Sequence, residues 1–194
     1  MKTVLIATKN KGKAKEFEAL FAPKGIKVLT LLDIEDAIDV EETGTTFEEN
    51  AILKAKAISE QMNMTVLSDD SGLVIDALDG RPGVYSARYA GPAKNDQANY
   101  EKVLQEMKDV PDEKRTARFY CAIAMVGPEI GTITVSGTCE GYIARKPEGE
   151  YGFGYDPIFY VPEKETVMAN LEPAVKNKIS HRANALKALE AKLG

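Results

Sequence analysis

Between Val66 and Ile75 the chain reads Val-Leu-Ser-Asp-Asp-Ser-Gly-Leu-Val-Ile, which sets two adjacent carboxylates, Asp69 and Asp70, inside an apolar run. Such a run reads as a buried strand. Carboxylates at a strand end are costly to desolvate unless something positive lies against them. A divalent cation or a reacting phosphate is the usual answer, so the pair points to metal-assisted chemistry on a phosphorylated substrate. Neighbours on a strand face opposite ways. One aspartate therefore enters a site and the other meets a structural partner, and periodicity does not choose between them. Two solvated turn aspartates before a glycine are the plainer alternative.

Four other segments carry groups suited to such a substrate. Thr8-Lys9-Asn10-Lys11-Gly12-Lys13 joins a strand to a helix, where unpaired N–H groups and the positive dipole end attract an anion. It is not a P-loop: Ala7 stands where the first glycine is required and Ala14 where Ser or Thr is required. Read alone, its lysines also fit a solvated helix start. Glu41, Glu42, Glu48 and Glu49 form an acidic group. Mg²⁺ takes oxygen ligands and usually one or two carboxylates, although a charged loop and an acidic first helical turn would look the same. Glu150–Pro157 interleaves aromatics with glycines, which suits close backbone approach and stacking on a purine; a packed hairpin loop is the other reading. Finally, Ser180 is a good helix cap, and it puts His181 and Arg182 in a first turn where cations oppose the dipole unless an anion or electron-rich ligand offsets them.

Several classes are excluded by composition. The net charge of −5 argues against general nucleic-acid binding, while leaving room for a locally basic pocket. No apolar run approaches the ~20 residues of a membrane span, and Met1–Ala7 is too short for a signal-peptide core. Cys121 and Cys139 show no metal or redox spacing and read as reduced core thiols, so cytoplasm is the expected location. With His181 the only histidine, a zinc site of several imidazoles is ruled out.

The elements that must hold these groups follow from pattern. Strands are expected at Thr3–Thr8, Val28–Leu31, around Asp69 and Asp70, at Thr116–Val126 and Gly131–Tyr142 as a hairpin, and at Ile158–Val161. A first helix keeps Ala14, Phe17, Leu20 and Phe21 on one face and ends by Pro23 and Gly25. Asp33–Thr45 is acidic and irregular. Thr46-x-x-Glu49 announces a second helix as a capping box, with Ala51, Ala55, Ile58 and Met62 as its buried stripe. Asp96 is the expected cap of a third, whose inner face is Tyr100, Val103, Leu104 and Met107. A last helix from Ser180 buries Leu186, Leu189 and Leu193. The fold class is α/β, a mixed sheet covered by helices.

In this order the segments resemble the inosine/xanthosine triphosphate pyrophosphatase family. The matching pieces are Thr8–Lys13, Glu42–Ala51, Ser68–Leu73, Gly80–Tyr89, Phe153–Pro157 and Ser180–Arg182, which span nearly the whole chain. The resemblance implies one domain over 1–194 with a mixed, twisted central sheet and two lobes, the active-site cleft lying between them, working as a homodimer. It implies hydrolysis of ITP, dITP and XTP to the monophosphate and pyrophosphate with Mg²⁺. Carried onto this chain, Thr8, Lys9, Asn10, Lys11, Gly12 and Lys13 hold the triphosphate, and Lys54 reaches the phosphates. Asp70 is general base and metal ligand, with Asp69 supporting; Ser71 contacts substrate. Glu41 or Glu42 binds the metal. Phe153, Gly154, Tyr155, Asp156, Lys176, His181 and Arg182 form the base side. A phosphohydrolase of other nucleotides and a nucleotide sensor without turnover are the competing readings.

Overall fold

Seven strands form one mixed sheet among residues 2–193, which the computed structural model describes. They are β1 (Lys2–Ile6), β2 (Ile26–Thr30), β3 (Val66–Ile75), β4 (Thr116–Gly127), β5 (Gly131–Ile143), β6 (Phe159–Val161) and β7 (Thr166–Val167). Their order across the sheet is β2-β1-β3-β4-β5-β6-β7. β1 pairs in parallel with β2 and with β3, whereas β5–β6 and β6–β7 are antiparallel. Helices α1 (Lys11–Phe21), α2 (Phe47–Met62), α3 (Asp96–Glu106), α4 (Pro173–Ile179) and α5 (His181–Leu193) occur between and after these strands. None of the described helices is long and apolar enough to cross a membrane.

The chain divides into two compact units. The first comprises Met1–Asp70, Cys121–Gly137 and Arg182–Gly194; the second, Ser71–Tyr120 and Thr138–His181. In the first, Phe17 and Phe21 of α1 and Ala185, Leu186 and Leu189 of α5 bury against Ile6, Leu67, Cys121 and Ile123 of the strands. A fully buried side chain of this kind contributes about 1.5–3 kcal/mol. Leu193, expected inside, is 54% exposed; it lies at the fraying end of the last helix. In the second unit Val103, Met107, Val175 and Ile179 pack on Leu73, Phe119, Cys139, Ile143 and Phe159. Both cysteines are buried and unbridged, and burial pushes the Cys139 thiol up to about 11.

Local chemistry fixes the helix starts, with two corrections. The Asn10 side chain accepts from Lys13 N–H (3.1 Å) and caps α1. At α2 the expected capping box is half made. Thr46 Oγ1 accepts from Glu49 N–H (3.1 Å), but the Glu49 carboxylate reaches back to Thr45 N–H (2.8 Å) rather than to Thr46. At α3 the cap is Asn95, not Asp96: Asn95 Oδ1 accepts from Ala98 N–H (2.9 Å). Asp96, one residue inside the helix, instead accepts from Gly154 N–H (2.9 Å). The expectation also missed α4, a seven-residue helix opened by Pro173 and too short to show a period.

Candidate active site

The central aspartates of β3 are both buried, Asp69 1% and Asp70 4% exposed, yet their surroundings pull them in opposite directions. Asp69 Oδ2 receives Arg182 Nη2 (3.2 Å) and lies 3.4 Å from Lys13 Nζ, while the Asp69 carbonyl accepts from Lys54 Nζ (2.6 Å). Burial alone would raise its carboxyl, but Lys13, Arg182 and Lys54 together hold it well below the usual carboxylate range. Asp69 is therefore a permanent negative charge at the middle of three cations. Asp70 differs. Burial pushes it up to about 6; Lys54 and Lys13 pull against this, and the neighbouring Glu42 charge adds to it. A carboxyl poised there can hold or release a proton near neutral pH.

The phosphate-loop candidates lie in the same unit. Thr8 Oγ1 accepts from Asn10 N–H (3.1 Å), which tightens the turn into α1. Lys13 is half-buried and directed at Asp69, and Gly12 is half-buried beside it in the first turn of α1. Lys11 is exposed, and Lys9 is held by Asp39 at 2.6 Å on the surface. Of the two acidic candidates, Glu42 sits 3.0 Å from Lys54 Nζ, whereas Glu41 is exposed. Burial opposes the Glu42 charge, but Lys54 and Lys13 lower its carboxyl below the ordinary value. Burial likewise opposes charge on Lys54, and Asp69, Glu42 and Asp70 outweigh it.

Glu16 is a member of this constellation that sequence reasoning missed. Its carboxylate takes Arg182 Nη1, and the Arg182 guanidinium also lies over the Phe17 ring at 5.6 Å. The available signal was a carboxylate on the inner face of α1, three residues after Lys13 and four before Leu20. The same contacts tie Arg182, which the resemblance puts on the base side, to two acidic side chains. It is 1% exposed, with both terminal nitrogens on carboxylates of the first unit.

The donor set fits a hard divalent cation. Asp70 Oδ2 is a buried oxygen without a hydrogen-bond partner, which is costly unless a ligand meets it. Glu42 is close enough to Asp70 to raise it electrostatically. No group of three His, Cys, Asp or Glu able to hold a metal occurs among the described residues. One or two carboxylates completed by water and phosphate oxygens is how Mg²⁺ is usually held.

The remaining candidates belong to the second unit. Asp156 is buried, and its Oδ2 accepts from Phe153 N–H (3.2 Å) and Lys176 Nζ (2.8 Å). Lys176 Nζ also lies 4.8 Å from the centre of the Phe153 ring. Gly152 makes this turn possible: its φ is +74°, and a Cβ there would stand 2.0 Å from Asp156 Oδ2. Gly152→Ala is accordingly expected to lose about 1–3 kcal/mol of stability, read as a lower urea midpoint; an unchanged midpoint would show that the turn relaxes freely. Tyr155 is not a stacking surface. It is 6% exposed within the hydrophobic cluster, and its hydroxyl donates to the Ser86 carbonyl (2.6 Å). His181 is buried with its ring stacked on Phe119 at 4.9 Å. Ser71 is half-buried next to Asp70 in sequence.

Residues 4–192 match the Ham1 family. The chain is 60% identical over 191 residues to a dITP/XTP pyrophosphatase of Oceanobacillus iheyensis, covering 98% of this chain and 97% of that protein. It is 59% identical over 189 residues to the dITP/XTP pyrophosphatase of Bacillus subtilis, covering 97% and 96%. The Ham1 protein of Staphylococcus aureus superposes with a TM-score of 0.87 at 48% identity, over 99% of this chain and 98% of that one.

Proposed function

The chain belongs to the Ham1 family, and from that premise we propose that it hydrolyses dITP, XTP and ITP to the nucleoside monophosphate and pyrophosphate, clearing deaminated purines from the nucleotide pool. One observation carries the mechanism: adjacent carboxylates of opposite character, Asp69 held ionised by three cations and Asp70 raised to about 6 with an unpartnered oxygen. Asp70 orients the attacking water at the α-phosphorus and takes its proton. Lys13 and Lys54, together with the start of α1, bind the phosphate chain and offset the charge that develops on the leaving pyrophosphate. Asp69 keeps both lysines in place. Glu42 and Asp70 would hold Mg²⁺, which when bound supplies further charge neutralisation on the phosphates.

A 6-oxo and a 6-amino purine are nearly isosteric, so discrimination requires donors aimed at the 6-oxygen, which would face another donor when adenine binds. Phe153 N–H and Gly154 N–H are already given to Asp156 and Asp96. Side-chain candidates in this reading are Lys176, whose Nζ is shared with Asp156 at 2.8 Å and can turn one of its other protons to the base, and His181, with Phe153 available for stacking. A single two-lobed domain, a homodimeric assembly and a cytoplasmic setting complete the proposal on the family resemblance.

Side-by-side turnover of dITP, XTP, ITP, ATP, GTP and a phosphomonoester with Mg²⁺ tests the reading. The expected result is pyrophosphate release, with kcat/KM for dITP and XTP at least ~10²-fold above ATP. Release of single phosphate, or equal use of ATP, would favour a different phosphohydrolase. Tight binding without turnover would favour a sensor.

A further inference from the structure

The turn from Gly152 to Asp156 carries Phe153, the ring assigned above to stacking, and it is held by hydrogen bonds from several directions. Phe153 N–H donates to Asp156 Oδ2 within the turn (3.2 Å), Gly154 N–H donates to Asp96 Oδ2 (2.9 Å), and the Tyr155 hydroxyl donates to the Ser86 carbonyl (2.6 Å). Gly154, like Gly152, has left-handed backbone, with φ +62°. Glycine backbone is permissive, so a turn built on it keeps one shape only where other groups hold it.

Those groups trace back to the first turn of α3. Asp96 and Asn99 stand three residues apart there and share a face. Asn99 is 2% exposed; its Oδ1 accepts from Ala90 N–H (2.7 Å) and its Nδ2 donates to the Ala87 carbonyl (2.9 Å). Next to that segment, Ser86 Oγ accepts from Leu73 N–H of β3 (2.9 Å) and donates to the Gly83 carbonyl (2.6 Å). The path closes on itself, from α3 through Asn99 to residues 87–90, from Ser86 to Tyr155, and from Gly154 back to Asp96. Asp96 is the charged member of this ring, and a carboxylate holds a backbone N–H more strongly than a neutral acceptor does. The helix does not need it as a cap, because Asn95 fills that place.

We propose that Asp96 is a positioning residue for base recognition: by holding Gly154 N–H, its carboxylate sets the turn that presents the Phe153 ring and the Asp156–Lys176 pair to the purine. The inference rests on the reading above that Phe153 and Lys176 meet the base. Asp96 acts through the turn without touching substrate.

Asp96→Ala removes the holder, whereas Asp96→Asn keeps a carbonyl acceptor of the same shape. Asp96 is exposed, so both variants are expected to fold. In Asp96→Ala, KM for dITP is expected to rise about 10-fold with kcat within about 3-fold of wild type, and the dITP/ATP ratio of kcat/KM to fall about 10-fold. Amide exchange at Gly154, followed by NMR, should accelerate in the alanine variant and stay slow in the asparagine variant, which recovers most of KM and of the ratio. A purely structural role would lower the urea midpoint of Asp96→Ala and leave KM and the ratio alone. Wild-type KM and ratio in Asp96→Ala, unchanged Gly154 exchange there, or no recovery in Asp96→Asn overturns the proposal. Phe153→Ala assayed in parallel separates the two failures. Unchanged KM and ratio there sink the placement of the base at this turn; their collapse there, with Asp96→Ala behaving as wild type, sinks only the role of Asp96.

Discussion

Asp70→Asn is expected to lose about 10²–10⁴-fold in kcat, the usual range for a general base, while the folded protein becomes more stable at neutral pH. The two effects have one origin. The Asp70 carboxyl is raised from 3.8 to about 6, chiefly by burial, so its ionised form is disfavoured in the folded state. Below 3.8 it is protonated whether the chain is folded or not, and it adds no cost. As pH rises from there toward 6 the unfolded chain ionises first, the unfolded state then binds fewer protons, and stability falls. Above 6 the full cost remains, about 3 kcal/mol for a shift of this size. Asparagine keeps the shape and removes the charge. Urea unfolding of metal-free protein should therefore show the variant ahead of the wild type at pH 7, with the gap closing as pH falls toward 4.

Asp69 makes the useful contrast. Its carboxyl is held below 3.8, so it contributes stability above that pH and loses it as pH falls through the depressed value. Asp69→Asn is expected to go the other way, destabilising at pH 7. Near-normal turnover in Asp70→Asn would reject Asp70 as the base. No gain in stability would reject burial as the cause of its raised carboxyl.

Arg182→Ala is expected to cost about 3–5 kcal/mol of stability, because it leaves two buried carboxylates, Glu16 and Asp69, without their shared cation. Burial opposes charge on this guanidinium, but Glu16 and Asp69 outweigh it and hold it firmly protonated. Its two terminal nitrogens meet different carboxylates, a forked geometry that lysine cannot reproduce. Arg182→Lys should accordingly recover only part of the loss. Activity is expected to fall with stability, since Asp69 would lose a partner that keeps it ionised and the Lys13–Asp69 pair would change. The ratio of dITP to ATP turnover should hold. Normal unfolding combined with a collapsed dITP/ATP ratio would reverse the assignment and return Arg182 to the base.

Much of the site could be read from the chain alone, for local reasons. The apolar lead-in to Asp69 and Asp70, the cap at Thr46, and the order of short motifs depend on residues a few positions apart, and hydrogen-bond chemistry at that range is written in residue type. The pairing of acidic and basic segments with a phosphate-bearing substrate followed from composition at those positions. Period-two alternation placed the aspartates on opposite faces and went no further. Which one is clamped and which is poised was decided by Arg182, 113 residues away, by Lys13 and by Lys54. Glu16 and Arg182 meet across 166 residues, Tyr155 is buried under the chain near Ser86, and Glu42 differs from Glu41 only in which one the loop turns toward Lys54. Desolvation and Coulomb interaction act between groups a few ångströms apart in space, so the charge state of a carboxyl belongs to the packed fold, while its position on a strand belongs to the sequence.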